Sequence, residues 1–528
     1  MTTVHARLDP ATTRTTERAP LRALVSWTLY DFAAQPYYTL VLTFLFAPYF
    51  ASHVVGDPAL GQTIWGYGAA AASILIAIGS PFLGALADGR GRRKPWIAVF
   101  ASVLIIGLAT LWIAVPGAPT HTIALVVLAF VVATAAAEFS SVFTNSMMPS
   151  LVPASALGRL SGIGWGVGYL GGLLSLALVA GLIVSNPATG KTLFGLDPIL
   201  TLDTTSREAD RLVGPIAAVW FAVFMIPFFL FVPDVKPIPL PPGERRPSPA
   251  SQLWQTVKQL PQNRDMLFFL VARMIYADGL SAIFAFGGIY GTAVFGWSAL
   301  ELGLFGLILT ATGMIGAVIG GFLDDRAGAK TVILVSLILL LIGALGILSV
   351  DKTHVLYILE VPQKAAATSP FSSIGELVFL AFALIVGLVA APVQAASRSL
   401  LARLAPPDQI TQYFGLFAFS GKVTAFLAPF LVATVTLATD SQRLGMSAIA
   451  LFLVAGMLLM LPIRTASPLK VNGKSFALDK LAERAGAPAA SLDSDVRPRA
   501  SSAQISSPGP LCAAHHCPEA TRLEKWNR

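Results

Sequence analysis

The sequence predicts an all-α polytopic membrane protein, with twelve transmembrane helices in two pseudo-symmetric six-helix bundles. Three observations point there. Apolar blocks about the length of a bilayer crossing, which needs roughly 20 residues of helix, recur along the chain. Charged residues are only 12% of the 528, about half the fraction of a soluble domain. The loops between blocks alternate between basic and free of Lys and Arg.

Twelve spans fit, at about 25–50, 64–87, 95–115, 121–146, 159–185, 213–232, 265–290, 299–323, 331–350, 374–397, 411–437 and 445–463. Most carry few interior charges, whereas the first, seventh and eleventh hold Asp31, Arg273 with Asp278, and Lys422. The second-to-third loop carries Arg90, Arg92, Arg93 and Lys94. The central loop carries Lys236, Arg245, Arg246, Lys258 and Arg264, and the eighth-to-ninth carries Arg326 and Lys330. The opposite loops near 53–63, 116–120 and 291–298 have no Lys or Arg; the loop at 186–212, with Lys191, Arg207 and Arg211, is a mild exception. Positive charge is retained on the cytoplasmic side. Both termini are therefore expected in the cytoplasm, and in a bacterium the inner (cell) membrane would be the site. The net charge of +8 reads the same way, so no nucleic-acid partner is expected.

The division follows. Residues 1–24 form an N-terminal tail without the apolar core of a signal peptide. A first six-helix bundle covers 25–232 and a second 265–465. Between them, 233–264 begin with a Pro-rich stretch and continue with Leu253, Trp254, Val257 and Leu260 at helical spacing, a short amphipathic helix for the cytoplasmic membrane face. The Ala-, Ser- and Pro-rich residues 466–528 predict a disordered tail. Cys512, His515, His516 and Cys517 lie there; a solvated tail is the preferred reading over a metal site, and no metal, cofactor or disulfide framework is expected. A monomer is expected.

The halves repeat. Gly84, Asp88, Arg90 and Lys94 align without gaps on Gly320, Asp324, Arg326 and Lys330, and Ser146, Leu151, Pro153 and Gly162 on Ser399, Leu404, Pro406 and Gly415. Two repeated halves around a substrate site at their interface are a transporter signature.

The loop Gly84-x-x-x-Asp88-x-Arg90-x-x-Arg93-Lys94 resembles the signature of the major facilitator superfamily. Four further segments resemble its vacuole-effluxer-like branch, whose fungal members export amino acids from the vacuole during autophagy. These are Trp27-Thr-Leu-Tyr30-Asp31-Phe-Ala-Ala-Gln35, the glycine-rich Gly162–Gly172, Tyr276-Ala-Asp278-Gly279 and Tyr413-Phe-Gly415-Leu-Phe-Ala-Phe-Ser-Gly421-Lys422. The resemblance covers roughly 24–465 and implies alternating access by two rocking bundles. Where the branch commonly has Asn after the first-helix Asp-aromatic-Ala, this chain has Ala34-Gln35.

Charges inside membrane helices are costly and mark function. Asp31, Gln35 and Tyr38 share one face of the first helix by their spacing. Glu138, Ser141 and Asn145 share one of the fourth, at similar depth. The resemblance places the first, fourth, seventh and tenth helices around a cavity. Asp278 is the leading candidate for a proton- or cation-coupling site. Arg273 is expected to meet Asp31 or Glu138, and Lys422 to meet Asp278. Gln394 and Arg398 sit near the cytoplasmic end of the tenth helix, where Arg398 either snorkels to the surface or holds a substrate carboxylate. The resemblance also implies that Asp88 faces a helix N-terminus of the other half, where the macrodipole favours a carboxylate. Small residues such as Gly162 on the fifth helix and Gly320 on the eighth let helices approach closely.

The function expected is proton-coupled transport of a small polar solute, in the first instance amino acids, since facing Arg and Asp suit a zwitterion. A cation-coupled sugar symporter and a non-transporting sensor on a transporter scaffold are the alternatives. An enzyme is not expected: the spans carry no nucleotide-binding loop, no metal-ligand cluster and no deep His.

Overall fold

The computed structural model describes residues 17–185, 189–235, 248–362 and 370–464, with backbone only at 299–300. Lys236, Arg245, Arg246 and the tail with its Cys and His residues lie outside them. Ten helices are long and apolar enough to cross a bilayer among the described residues. In chain order the helices are α1 (Leu21–Pro36), α2 (Pro58–Arg90), α3 (Lys94–Thr110), α4 (Thr120–Leu151), α5 (Leu157–Leu182) and α6 (Val213–Phe231). The second half has α7 (Arg264–Phe295), α8 (Ala299–Ala327), α9 (Ala329–Leu348), α10 (Ile374–Leu404), α11a (Ile410–Ser420), α11b (Leu427–Thr439) and α12 (Gln442–Met460).

The first and eleventh predicted spans are interrupted. After Pro36, whose ring nitrogen cannot donate a hydrogen bond, the first continues as a π-helix over Tyr37–Phe44. The eleventh breaks at Gly421–Phe426. Small Gly421 and the donor-less Pro429 weaken a continuous helix there. Elsewhere the starts follow side-chain chemistry. Asp57 accepts the amides of Ala59 and Leu60 ahead of α2. Ser298–Glu301 and Ser373–Glu376 are reciprocal capping boxes for α8 and α10, each satisfying two otherwise unpaired amides. The amphipathic helix forms over Pro249–Gln259. Its Leu253 packs on the core, while Trp254 and Val257 are exposed.

The two halves touch along α2 with α11a and along α5 with α8. Both crossings need glycine. A Cβ on Gly84 would lie 2.5 Å from the Thr411 carbonyl oxygen, and one on Gly162 would lie 2.6 Å from the Gly321 Cα. Gly162 and Gly415 occupy corresponding positions in the repeat, and each faces the other half. Gly84→Val is expected to force α2 and α11a apart and abolish solute counterflow in vesicles, with the protein still monodisperse in detergent. Wild-type counterflow would refute this.

Candidate functional site: a cleft between the halves

Along α1, Trp27–Tyr38 are buried except for a stripe at Asp31, Gln35 and Tyr38, with Leu29. On α4, Glu138, Ser141 and Asn145 are partly exposed while the residues between them are buried. On α10, Gln394 is the partly exposed position within 391–402. Such stripes on helices packed inside a bundle mean that solvent reaches them through a cleft. The α-helical spacing therefore identified the cleft-facing sides of α1 and α4. Tyr38 lies in the π-helical stretch and its ring meets Tyr37 at 5.1 Å.

The ion pairs differ from those expected. Asp31 pairs with Arg398 at 3.1 Å and Glu138 with Lys422 at 3.2 Å. Arg398 does not snorkel. Its side chain is 5% exposed and held by the first half: Nε donates to Ser161 Oγ at 2.9 Å, Nη2 to Ser161 O at 2.6 Å, and Nη1 to Asn145 Oδ1 at 3.0 Å. The Trp27 ring lies 5.1 Å below the guanidinium. Arg273 has no carboxylate partner among the described residues. It donates to Phe417 O at 2.7 Å and Ser420 Oγ at 2.9 Å, and lies 3.4 Å from the Phe417 ring centre. The physical reason is the break in α11: the last carbonyls of α11a lose their helical donors, and a cation satisfies one of them. Lys422, released into that break, reaches across to Glu138 rather than to Asp278.

Asp278 is 2% exposed and has no ion-pair partner among the described residues. The Thr424 hydroxyl, in the same break of α11, lies against its carboxylate.

At one end, the signature loops seal the halves together. Asp88 accepts the Thr411 amide at 3.2 Å and the Gln412 amide at 2.8 Å, at the start of α11a. Arg93 holds the same carboxylate at 2.5 Å. Burial pushes the Arg93 guanidinium below its ordinary pKa, with Asp88 and Asp234 opposing that shift. The repeat places Gly158 and Arg159 opposite Thr411 and Gln412. Their amides are taken by Asp325, at 2.8 and 3.2 Å, and not by Asp324, the residue aligned with Asp88. Asp324 binds Arg403 at 2.5 Å and the Ser399 hydroxyl. Lys94 and Lys330 play matching parts: Lys94 Nζ caps the end of α6 through Phe229 O at 2.9 Å, and Lys330 Nζ binds Leu461 O and Ile463 O beyond α12, both at 2.7 Å. Arg90 lies 5.3 Å from the Trp96 ring centre, Gly320 packs against Pro392 and Arg326 is exposed.

Sequence reasoning missed Ser161, Asp325, Arg403 and the amides of Thr411 and Gln412. The doubled Asp324-Asp325 was the available signal for Asp325. Backbone donors leave no signal in side-chain identity.

A repeated helical membrane protein with a charged cleft between its halves and paired signature loops is a major facilitator transporter, not an enzyme. Residues 62–468 match the family described as vacuole effluxer Atg22 like, and the chain belongs to it. An uncharacterized MFS-type transporter of Bacillus subtilis, YxiO, is 25% identical over 82% of this chain and 93% of its own length. Autophagy-related protein 22 of Cryptococcus neoformans is 25% identical over 58% of this chain and 52% of its own, so the match spans about half of that fungal relative. Among solved structures, FucP in the outward conformation superposes with a TM-score of 0.62 at 13% identity, covering 84% of this chain and 99% of that one. The human organic anion transporter MFSD10 gives 0.60 at 15%, covering 83% and 99%. At these identities the structures establish a shared fold. The protein is thus a multi-pass integral membrane protein and a secondary transporter of a small-molecule solute.

Proposed function

We propose that this transporter carries amino acids or related small zwitterions by alternating access, coupled to protons. The observation that carries the reading is the Glu138–Lys422 pair, a salt bridge between the halves whose side chains are 23% and 30% exposed. A zwitterion can exchange with such a pair without leaving a net charge in the bilayer: its carboxylate takes Lys422 and its ammonium takes Glu138. The exchange removes a tie between the halves, which is the change that a rocking mechanism needs. The family description is of a vacuole effluxer, and the resemblance to that branch implies amino-acid efflux. Asp278 is the proposed proton carrier, because it is a carboxylate buried within α7 that has no ion-pair partner among the described residues. Gln35, Tyr38, Asn145 and Gln394 line the proposed route. By the distribution of Lys and Arg, the sealed end is the cytoplasmic one, so the cleft of this conformation opens outward.

Uptake of pooled labelled amino acids and of pooled sugars into proteoliposomes, with and without a pH gradient, tests the reading. Gradient-driven amino-acid accumulation is expected. Asp278→Asn should abolish accumulation while leaving solute exchange in the absence of a gradient. Sugar accumulation would replace the substrate assignment, and gradient-driven uptake by Asp278→Asn would remove that residue from coupling.

A further inference from the structure

A second recess lies on the flank of the bundle at the sealed end, apart from the cleft. It is a groove of about 260 Å³ between α1, α5 and α8. Leu21, Val25, Ile163 and Phe322 line it, and Leu21, Val25 and Phe322 are 75%, 50% and 41% exposed. Two arginines, Arg18 and Arg159, border this apolar surface. Arg18 is anchored next to the end of α4, because the Ala19 amide donates to Leu151 O at 2.8 Å. Arg159 is fixed by Asp325, which takes its Nε at 2.7 Å. Its two terminal nitrogens make no hydrogen bond among the described residues, and its side chain is 36% exposed. The groove thus offers cationic groups beside an apolar wall that opens sideways.

We propose that this groove binds one anionic phospholipid, its phosphate between Arg18 and Arg159 and an acyl chain along Leu21, Val25, Ile163 and Phe322. Charge complementarity selects the occupant. Basic pockets between membrane helices suit anionic headgroups, and a soluble anion would leave the apolar wall uncovered. The site also depends on conformation. Arg159 and Val25 belong to the first half and Phe322 to the second, and Arg159 is tied into the Asp325 contact that closes α5 on α8. Separating the halves at this end takes Phe322 away from the groove. A lipid that binds only the assembled groove stabilises the sealed state by its differential affinity.

The test uses delipidated full-length protein and native mass spectrometry. Phosphatidylglycerol and phosphatidylcholine with matched acyl chains are added in turn. One phosphatidylglycerol should be retained in preference. Arg18→Gln should weaken that preference about fivefold, the scale for one arginine near a charged lipid surface. Val25→Trp, which fills the groove without altering charge, should lower retention of the bound lipid. Both residues are exposed on the surface of the bundle, and monodispersity in detergent confirms that each variant is folded. Phosphatidylglycerol retention unchanged in both variants would overturn the proposal. So would displacement of the lipid by inorganic phosphate at equal concentration, which would make the site one for a free anion.

Discussion

Arg398→Ala is expected to cost at least about tenfold in transport and to loosen the sealed end. One guanidinium from α10 joins α1, α4 and α5 through Asp31, Asn145 and Ser161. Removing one member of a buried ion pair costs ~3–5 kcal/mol. Asp31 is 22% exposed, so water compensates part of that and the loss falls below the range. Even ~1.4 kcal/mol shifts a two-state equilibrium tenfold. Arg398→Lys should rescue only part of the effect, because an ammonium cannot reproduce the planar fork that contacts Asp31, Asn145 and both Ser161 oxygens. Spin labels on cysteines at exposed Arg92 and Asp408, with Cys512 and Cys517 changed to Ser, would report the separation of the halves. A longer distance in Arg398→Ala is the expected result. An unchanged distance with wild-type transport would show that this contact does not hold the halves together.

The case of Arg398 also shows what the sequence could convey. Amphipathic spacing on α1 and α4 identified the cleft face, because a helix has a fixed periodicity and the rest of each helix is packed. The pairing of charges across that cleft was not legible. It depends on where α11 breaks, and the break turned Arg273 toward the free carbonyls of α11a and Lys422 toward Glu138. The length rule marked 25–50 and 411–437 as single spans. Hydropathy does not register a π-helical stretch after Pro36, nor a turn between two apolar half-helices. The repeat was legible as a motif but shifted by one residue in use: Asp325, not Asp324, receives the amides of α5. Small displacements between helices set such a register, and identity matching does not contain them.

That register makes the second large effect specific. Asp88→Asn is expected to open the α2–α11a contact, with a tenfold or greater loss of transport. The carboxylate accepts two amides at the start of α11a, where a negative charge is worth ~0.3–1 kcal/mol and up to ~2 when partly buried. It also neutralises Arg93, whose side chain is 4% exposed. In Asp88→Asn, Arg93 keeps the Ala87 and Gly91 carbonyls and the nearby Asp234 but loses the carboxylate it pairs with directly, and a buried cation stripped of that partner is the larger penalty. Asp325→Asn should act more weakly on α5 and α8, since the side chain of its partner Arg159 is 36% exposed and Asp324 retains Arg403. The double variant then separates two pictures of the motion. If the two seals yield independently, their effects on the Arg92–Asp408 distance distribution, expressed as free energies, add. If the halves move as rigid bodies, opening one contact already strains the other, and the second substitution adds little. Proteoliposome counterflow on the same four proteins shows whether transport follows the distance change. Full transport with both seals broken would mean that Asp88 and Asp325 shape the resting state without governing the cycle.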